Sequence, residues 1–281
     1  MNRRLLRRWK SRAMVGALVL CVALAVLPLL LILATLVAKG ASSINLDFFL
    51  KTPVPAGESG GGVVHAIVGT LLIVGTACLI GLPIGVGAGI FASEWPASRL
   101  ARSTRFIADV LNGTPSIVVG VFAWTWIVAK QKHFSGFAGS VALAVLMIPM
   151  VMRTTEEMIK LVPNSLREAA LALGFPRWRT SLKIVVRTCM PGIVTGVLLA
   201  VARVAGETAP LLFTALGNDY LKSNIRQPLA ALPLVVYKYA TGPYDDWHRL
   251  AWATALVLIL VVLVLSLASR FATRGRFNAS R

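Results

Sequence analysis

Long apolar runs separated by shorter polar stretches dominate the chain. The clearest are Ala13–Val37, Val63–Phe91, Ala138–Met152 and Trp252–Ala268, and weaker ones cover Phe106–Val128 and Gly192–Leu216. A bilayer-spanning helix needs roughly 20 mainly apolar residues, and most of these runs reach that length. They predict an all-α polytopic membrane protein with six transmembrane helices. Ala13–Val37 exceeds the apolar core of about 7–15 residues found in a cleaved signal, so it reads as a retained first helix. Lys39–Gly62 reads as an external loop from Pro53, Pro55 and Ser59-Gly60-Gly61-Gly62.

Two runs are interrupted. Asn112-Gly113-Thr114-Pro115-Ser116 breaks the third, and Pro191 and Pro210 flank the fifth. A break inside a membrane persists where protein or a water-lined cavity satisfies the freed backbone groups. Gly113, Thr114, Pro115 and Ser116 are therefore expected to form a helix break on a transport path, with a plain proline kink as the alternative. The second run holds seven Gly or Pro residues from Gly69 to Gly89. Small residues at that density let helix backbones approach closely, so this span is expected to lie between neighbours rather than face lipid. Ala230–Val236 is apolar but too short to cross. It is expected to be re-entrant or to pack under the external mouth.

Composition agrees with this pattern. Hydrophobic residues are 57% and charged residues 14% of 281 positions, against about a quarter charged in soluble domains. The net charge of +18 would suit nucleic acid, but its placement argues for a membrane. Of 29 Lys and Arg residues, twenty fall before the first run, in alternate loops and after the last run. Eight fall on the other side, and Arg203 lies within a span. The positive-inside rule then puts both termini in the cytoplasm and gives the charge a lipid partner rather than a nucleic acid. The expected organisation is a basic N-terminus over 1–12, one membrane domain over 13–269 and a basic tail over 270–281. Cys21, Cys78 and Cys189 have no metal-ligand spacing and read as small apolar fillers. No metal site is expected, and the isolated His65, His133 and His248 are assigned no chemistry.

Between the fourth and fifth runs, about 153–187, the chain is too polar to span and too long for a tight turn. Asn164 or Ser165 can cap a short helix with Glu168 in its first turn. Leu166, Ala169, Ala170 and Leu173 recur at helical spacing on one apolar face. Gly174 ends the helix and Pro176 prevents its continuation. Periodicity alone leaves two roles open: packing on the protein's own helix ends or lipid, and insertion into a groove of a soluble partner.

Glu168-Ala169-Ala170, three residues, Gly174, nine residues and Ile184 resembles the EAA signature of bacterial ABC importer permeases. Val186-Arg187 stands where that signature ends in Leu-Pro. Three further stretches resemble the phosphate permease pair: Gly60 to Leu71, Asp109 to Val118, and Ala205-Gly206-Glu207-Thr208-Ala209-Pro210-Leu211-Leu212-Phe213-Thr214-Ala215. The last is more like the PstA member than its PstC partner. The resemblance runs from about Ala13 to the last span. It implies a phosphate permease subunit in the bacterial inner membrane, with Glu168, Ala169, Ala170 and Gly174 coupling it to an ATPase. The implied partners are a PstC-type permease, a PstB-type ATPase dimer and a PstS-type external phosphate-binding protein. ATP and Mg would sit on the ATPase, with no cofactor and no catalysis in this chain. The chain has no Gly-x-x-x-x-Gly-Lys-Ser/Thr motif.

Arg203, Glu207 and Asp109 are the ionisable residues in or near apolar runs. A central Arg costs about 2.5–3.5 kcal/mol on insertion scales, so it is expected to be paired or functional. Glu207 follows Arg203 by four residues, which on a helix puts both on one side and allows a structural ion pair. The alternative is a substrate path through Arg203, Glu207 and Thr208. Arg suits phosphate oxygens, and an ionised carboxylate accepts the proton of a P–OH that sulfate lacks. Asp109 is expected to pair with Arg105. Rival readings are a permease for another oxyanion (sulfate, molybdate or phosphonate), an ion-coupled secondary transporter, and a non-transporting scaffold.

Overall fold

The structure, a computed structural model, describes residues 3–55, 58 and 60–277. Ser59 of the predicted external loop lies outside them, as do the outer ends of the basic segments 1–12 and 270–281. The described chain is helical: α1 Arg3–Gly40, α2 Leu46–Leu50, α3 Val64–Glu94, α4 Arg99–Gly113, α5 Ser116–Gln131, α6 Gly136–Lys160, α7 Asn164–Ala172, α8 Arg177–Ala205, α9 Ala209–Thr214, α10 Leu232–Ala240 and α11 Asp245–Phe277. Five of these are long and apolar enough to cross a membrane: α1, α3, α6, α8 and α11.

The sixth expected span is a bent pair. α4 and α5 pass the same test only together, and they meet at 105°. Pro115 has no N–H and pushes Thr114 out of helical geometry, to φ −78° and ψ 130°. α4 is amphipathic: Ala101 and Ala108 are buried, whereas Phe106, Ile107 and Val110 are exposed. Phe106–Val128 thus falls in two helices bent at Pro115, rather than in one straight span.

The helices around the fifth run also differ from expectation. α8 begins at Arg177 and ends at Ala205, so it takes in the polar stretch that reads as loop and stops before Leu216. α6 likewise extends through Arg153 to Lys160. Only Leu161–Pro163 and Leu173–Pro176 remain outside helices between α6 and α8.

α6, rather than the glycine-rich α3, is the central helix. It is the most buried of the five, and Leu143, Met147 and Val151 on it are fully enclosed. α3 presents one face of small residues to it. Gly81, Gly85 and Gly89 recur every four residues, and that spacing stacks them on one side of a helix. A Cβ on Gly85 would lie 2.9 Å from the Val151 Cβ, and one on Gly89 2.6 Å from the Met152 carbonyl oxygen. The opposite side of α3 is open, with Leu71, Leu79 and Ile84 exposed. Span α3 therefore has one open apolar face, whereas the sequence suggested a helix between neighbours rather than one facing lipid. α1 is peripheral, and its central window is unburied.

At the end opposite α7, the short apolar segment packs inward as α10. Leu232, Leu234, Val235 and Tyr239 are buried. The Leu232 amide donates to Thr70 Oγ1 at 2.8 Å, and a Cβ on Gly69 would sit 2.0 Å from the Ala230 carbonyl oxygen.

The α3–α6 contact yields a paired test. Gly89→Ala is expected to destabilise the protein by about 1–3 kcal/mol, the range for overpacking. Gly75→Ala, whose Cβ meets nothing within 4 Å, is expected to leave the melting temperature unchanged or raise it, because Ala is the better helix residue by roughly 1 kcal/mol. Thermal melting of the purified protein in detergent reads both.

Candidate functional site

Both interrupted helices open onto one cavity of about 200 Å³. Asn112, Thr114, Pro115 and Ser116 supply one wall, from the α4–α5 break. Arg203 and Glu207 supply another, from the end of α8, while Leu111, Leu146, Met150 and Val204 complete the lining. Four predicted site residues, Thr114, Pro115, Ser116 and Arg203, thus meet a fifth, Glu207. Gly113 and Thr208 are not among the lining residues. Gly113 ends α4, and the Thr208 carbonyl accepts from the Leu211 and Leu212 amides at 3.1 Å as α9 starts.

Each break is closed by its own chain. The Thr114 hydroxyl donates to the Val110 carbonyl at 2.8 Å, and the Thr114 amide to that of Leu111 at 3.2 Å. The Gly206 amide donates to the Arg203 carbonyl at 3.2 Å, and the Glu207 amide to the Val204 carbonyl at 3.1 Å. The segments beyond the breaks then pack together: a Cβ on Gly120 of α5 would lie 2.6 Å from Pro210 Cα of α9. Glycine at 120 is what allows that approach.

One expected ion pair is replaced, and another that was weighed as an alternative does not form. No Arg203–Glu207 ion pair forms among the described residues. α8 stops at Ala205, so Glu207 lies beyond the helix and the four-residue geometry no longer applies. Arg203 is exposed and Glu207 half-buried, and both face the cavity. Asp109 pairs with Arg153 of α6, whose Nε donates to Oδ1 at 3.0 Å, rather than with Arg105. Arg105 instead donates to Glu156 Oε1 at 2.7 Å.

Glu156 is a residue that sequence reasoning missed. Its side chain is 1% exposed, and Lys160 Nζ and Arg153 Nη1 also approach it, at 2.6 Å and 3.4 Å. A buried charge requires such partners. The signal was present: Arg153 and Lys160 flank Glu156 at the i−3 and i+4 spacing of a helix face.

α7 carries the Glu168-Ala169-Ala170 motif. Its N-cap position is Pro163, without a side-chain cap, so Asn164 is the first helical residue and Glu168 falls in the second turn. That corrects the expected Asn164 or Ser165 cap. At the other end the Phe175 amide donates to the Ala170 carbonyl at 3.2 Å and the Gly174 amide to that of Leu171 at 2.9 Å. This is a Schellman closure, and Gly174 has the positive φ, +81°, that it requires. Of the expected apolar face only Ala170 is buried, while Leu173 is 78% exposed. Leu171, Phe175 and Trp178 extend the exposed apolar surface. α7 is held by Arg167, whose Nη1 bonds Glu94 Oε1 at the end of α3.

Comparisons with known proteins agree with this architecture. Residues 81–275 match the family described as binding-protein-dependent transport system inner membrane component. The chain is 47% identical over 265 residues to a Haemophilus influenzae protein named phosphate transport system permease protein PstA, covering 94% of each chain. It is 39% identical to the Mycobacterium tuberculosis protein named PstA 1, over 92% of this chain and 84% of that one. Among solved structures, a bacterial alginate ABC transporter chain superimposes with a TM-score of 0.65 at 15% identity, covering 97% of this chain and 98% of that one. A chain of the inward-facing MetNI methionine ABC transporter gives 0.59 at 20% identity, over 76% and 94%. These structures share the fold. On the family match, the identity across nearly its whole length and its membrane-length helices, this chain is a multi-pass membrane protein that belongs to the binding-protein-dependent transport system inner membrane component family.

Proposed function

We propose that the chain is the PstA-type permease subunit of an ATP-driven phosphate importer in the bacterial inner membrane, with both termini in the cytoplasm. The observation that carries this is the 47% identity, over 94% of both chains, to a protein named as a phosphate transport permease. The charge asymmetry of the loops supports the orientation. The membrane domain covers about 13–269, and 1–12 and 270–281 are basic cytoplasmic segments.

The cavity supplies the chemistry of a phosphate site. Arg203 offers a planar fork of donors that matches phosphate oxygens. Glu207 accepts the proton that phosphate keeps at neutral pH, and a fully deprotonated sulfate would face it oxygen to oxygen. Thr208 follows on the same path. The α4–α5 break, Gly113 to Ser116, brings the start of α5 to the cavity, where the first N–H groups of a helix have no partner within it. Arg203 and Glu207 sum to zero formal charge, so a PstC-type partner permease completes the attraction for an anion.

The cycle is alternating access. ATP and Mg bind a PstB-type ATPase dimer, whose closure is received by α7 through Glu168, Ala169, Ala170 and the turn at Gly174. The path opens outward, takes phosphate from a PstS-type binding protein, and is reset by hydrolysis in the ATPase. The exposed apolar face of α7 favours insertion into a partner groove over packing on its own helices.

Uptake of labelled phosphate in cells lacking this chain, with its partners present, tests the reading. The wild-type chain is expected to restore uptake with phosphate, and not sulfate or molybdate, as competitor. A chain that restores sulfate uptake instead would change the cargo. Arg203→Gln, at equal membrane abundance, is expected to cut uptake at least about tenfold, since truncating one side of a hydrogen-bonded charge contact costs about 2–5 kcal/mol. Glu207→Gln is expected to let sulfate compete. Unchanged sulfate exclusion in that variant would remove Glu207 from the selectivity account.

A further inference from the structure

We propose that Glu94 and Glu156 are positioning residues that carry the movement of α7 to the walls of the cavity through one ladder of charged hydrogen bonds. The proposal rests on the transport reading above and adds the route by which the two ends of the protein are joined.

The ladder starts on α7. Arg167 Nη1 bonds Glu94 Oε1, and Ser181 Oγ of α8 donates to the other oxygen at 2.5 Å. One carboxylate at the end of α3 thus ties α7 to the start of α8. The same end of α3 holds the next rung. The Ala92 carbonyl accepts Arg105 Nη2 at 2.5 Å, and the Pro96 carbonyl accepts Nη1 at 3.2 Å. The third edge of that guanidinium, Nε, meets Glu156 of α6 at 2.7 Å. Arg153, also held by Glu156, then forks back onto Asp109 of α4. Asp109 lies one turn before Asn112, and Arg153 one turn after Met150. Asn112 and Met150 both line the cavity.

Two physical features make the inner rungs, at Glu94 and Glu156, a transmitter rather than a set of surface pairs, while the outer pair, Arg153–Asp109, is exposed. Exposed ion pairs contribute little because water replaces either partner readily. Glu156 is enclosed, so losing Arg105 or Arg153 would leave a buried charge short of partners, and that cost favours cations that follow the carboxylate when it moves. The rungs also fasten on rigid parts. α3 and α6 meet backbone to backbone through Gly85 and Gly89, with no slack for a side chain to absorb a shift.

The test uses the full transporter, assembled with its partner permease, ATPase and binding protein, in liposomes. Phosphate moved per ATP hydrolysed is measured for wild type, Glu94→Gln and the exchange Glu94→Arg with Arg167→Glu, at equal assembled amount. Glu94→Gln is expected to keep ATP hydrolysis while lowering the ratio roughly tenfold, within the range of coupling between sites. The exchange is expected to restore it. Uptake and hydrolysis falling in proportion, or an unchanged ratio, would overturn the proposal. Where Glu94→Gln fails to assemble, Ser181→Ala, which removes one bond to the same carboxylate, is read in the same way.

A second measurement does not depend on the cargo. Spin labels at Asn164→Cys, on the side of α7 away from its apolar face, and at Val110→Cys, both at exposed positions, report the α7-to-α4 distance. The ladder predicts one distance with and without ATP in the wild-type background, and a change on ATP binding once Glu94→Gln is added. The same response in both backgrounds would contradict it. Failure of wild type to move phosphate would instead overturn the cargo reading and leave this distance test standing.

Discussion

An amide that leaves its helix inside a bilayer has no water to bond, and two apolar runs of this chain are interrupted, after α4 and after α8. The two departures meet in the same place. Pro115 turns α4 from α5 by 105°, and α8 gives way to α9 over Gly206 to Thr208. The freed groups are partly closed by local turns, and the remainder borders a small polar cavity. Beyond the breaks, Gly120 and Pro210 lock α5 to α9. That contact makes the two segments one body, so a movement of either changes the cavity that both help to build.

The second constraint is the cost of enclosed charge. Glu156 lies in the central helix with its carboxylate shut away from solvent, and three cations converge on it. Arg105 and Arg153 each reach a further element, so satisfying one carboxylate also joins α3, α4 and α6. Arg203 and Glu207 are treated differently. They stand apart, facing open volume, and an incoming group can use them both. The protein thus holds one set of charges that is satisfied internally and another that faces a space of ligand size. That difference, more than the presence of Arg in a span, separates a structural ion pair from a binding group.

Much of this was legible in the residues. The positions of α1, α3 and α11 followed from run length and the first break from Asn112 to Ser116, whereas the fifth run, Gly192–Leu216, did not mark α8, which covers Arg177–Ala205. The α7 helix end followed from Gly174, and the lining of one cavity by both Arg203 and Glu207 from their spacing. Their direct contact did not follow, because a four-residue interval means contact only while the helix continues, and α8 ends at Ala205. Asp109 misled for a related reason. Arg105 is its neighbour along α4, but α6 offers Arg153 across the helix interface, and Arg105 is committed to α3 and Glu156. Glu94 and Arg167 are separated by 73 residues, and no local pattern links them. The glycine spacing of α3 indicated close packing, though only the placement of α6 decided which side was covered.

The central claim is that the cavity between the two breaks is where phosphate passes. It is tested most directly by alkylation of Ser116→Cys in the assembled transporter, with Cys21, Cys78 and Cys189 replaced and uptake retained. The account predicts that phosphate, during ATP-driven turnover, slows the reaction of that thiol with a small impermeant reagent, whereas sulfate at the same concentration does not. Alkylation that proceeds at one rate with phosphate, with sulfate and with neither, while uptake continues, would place the path elsewhere and contradict the account.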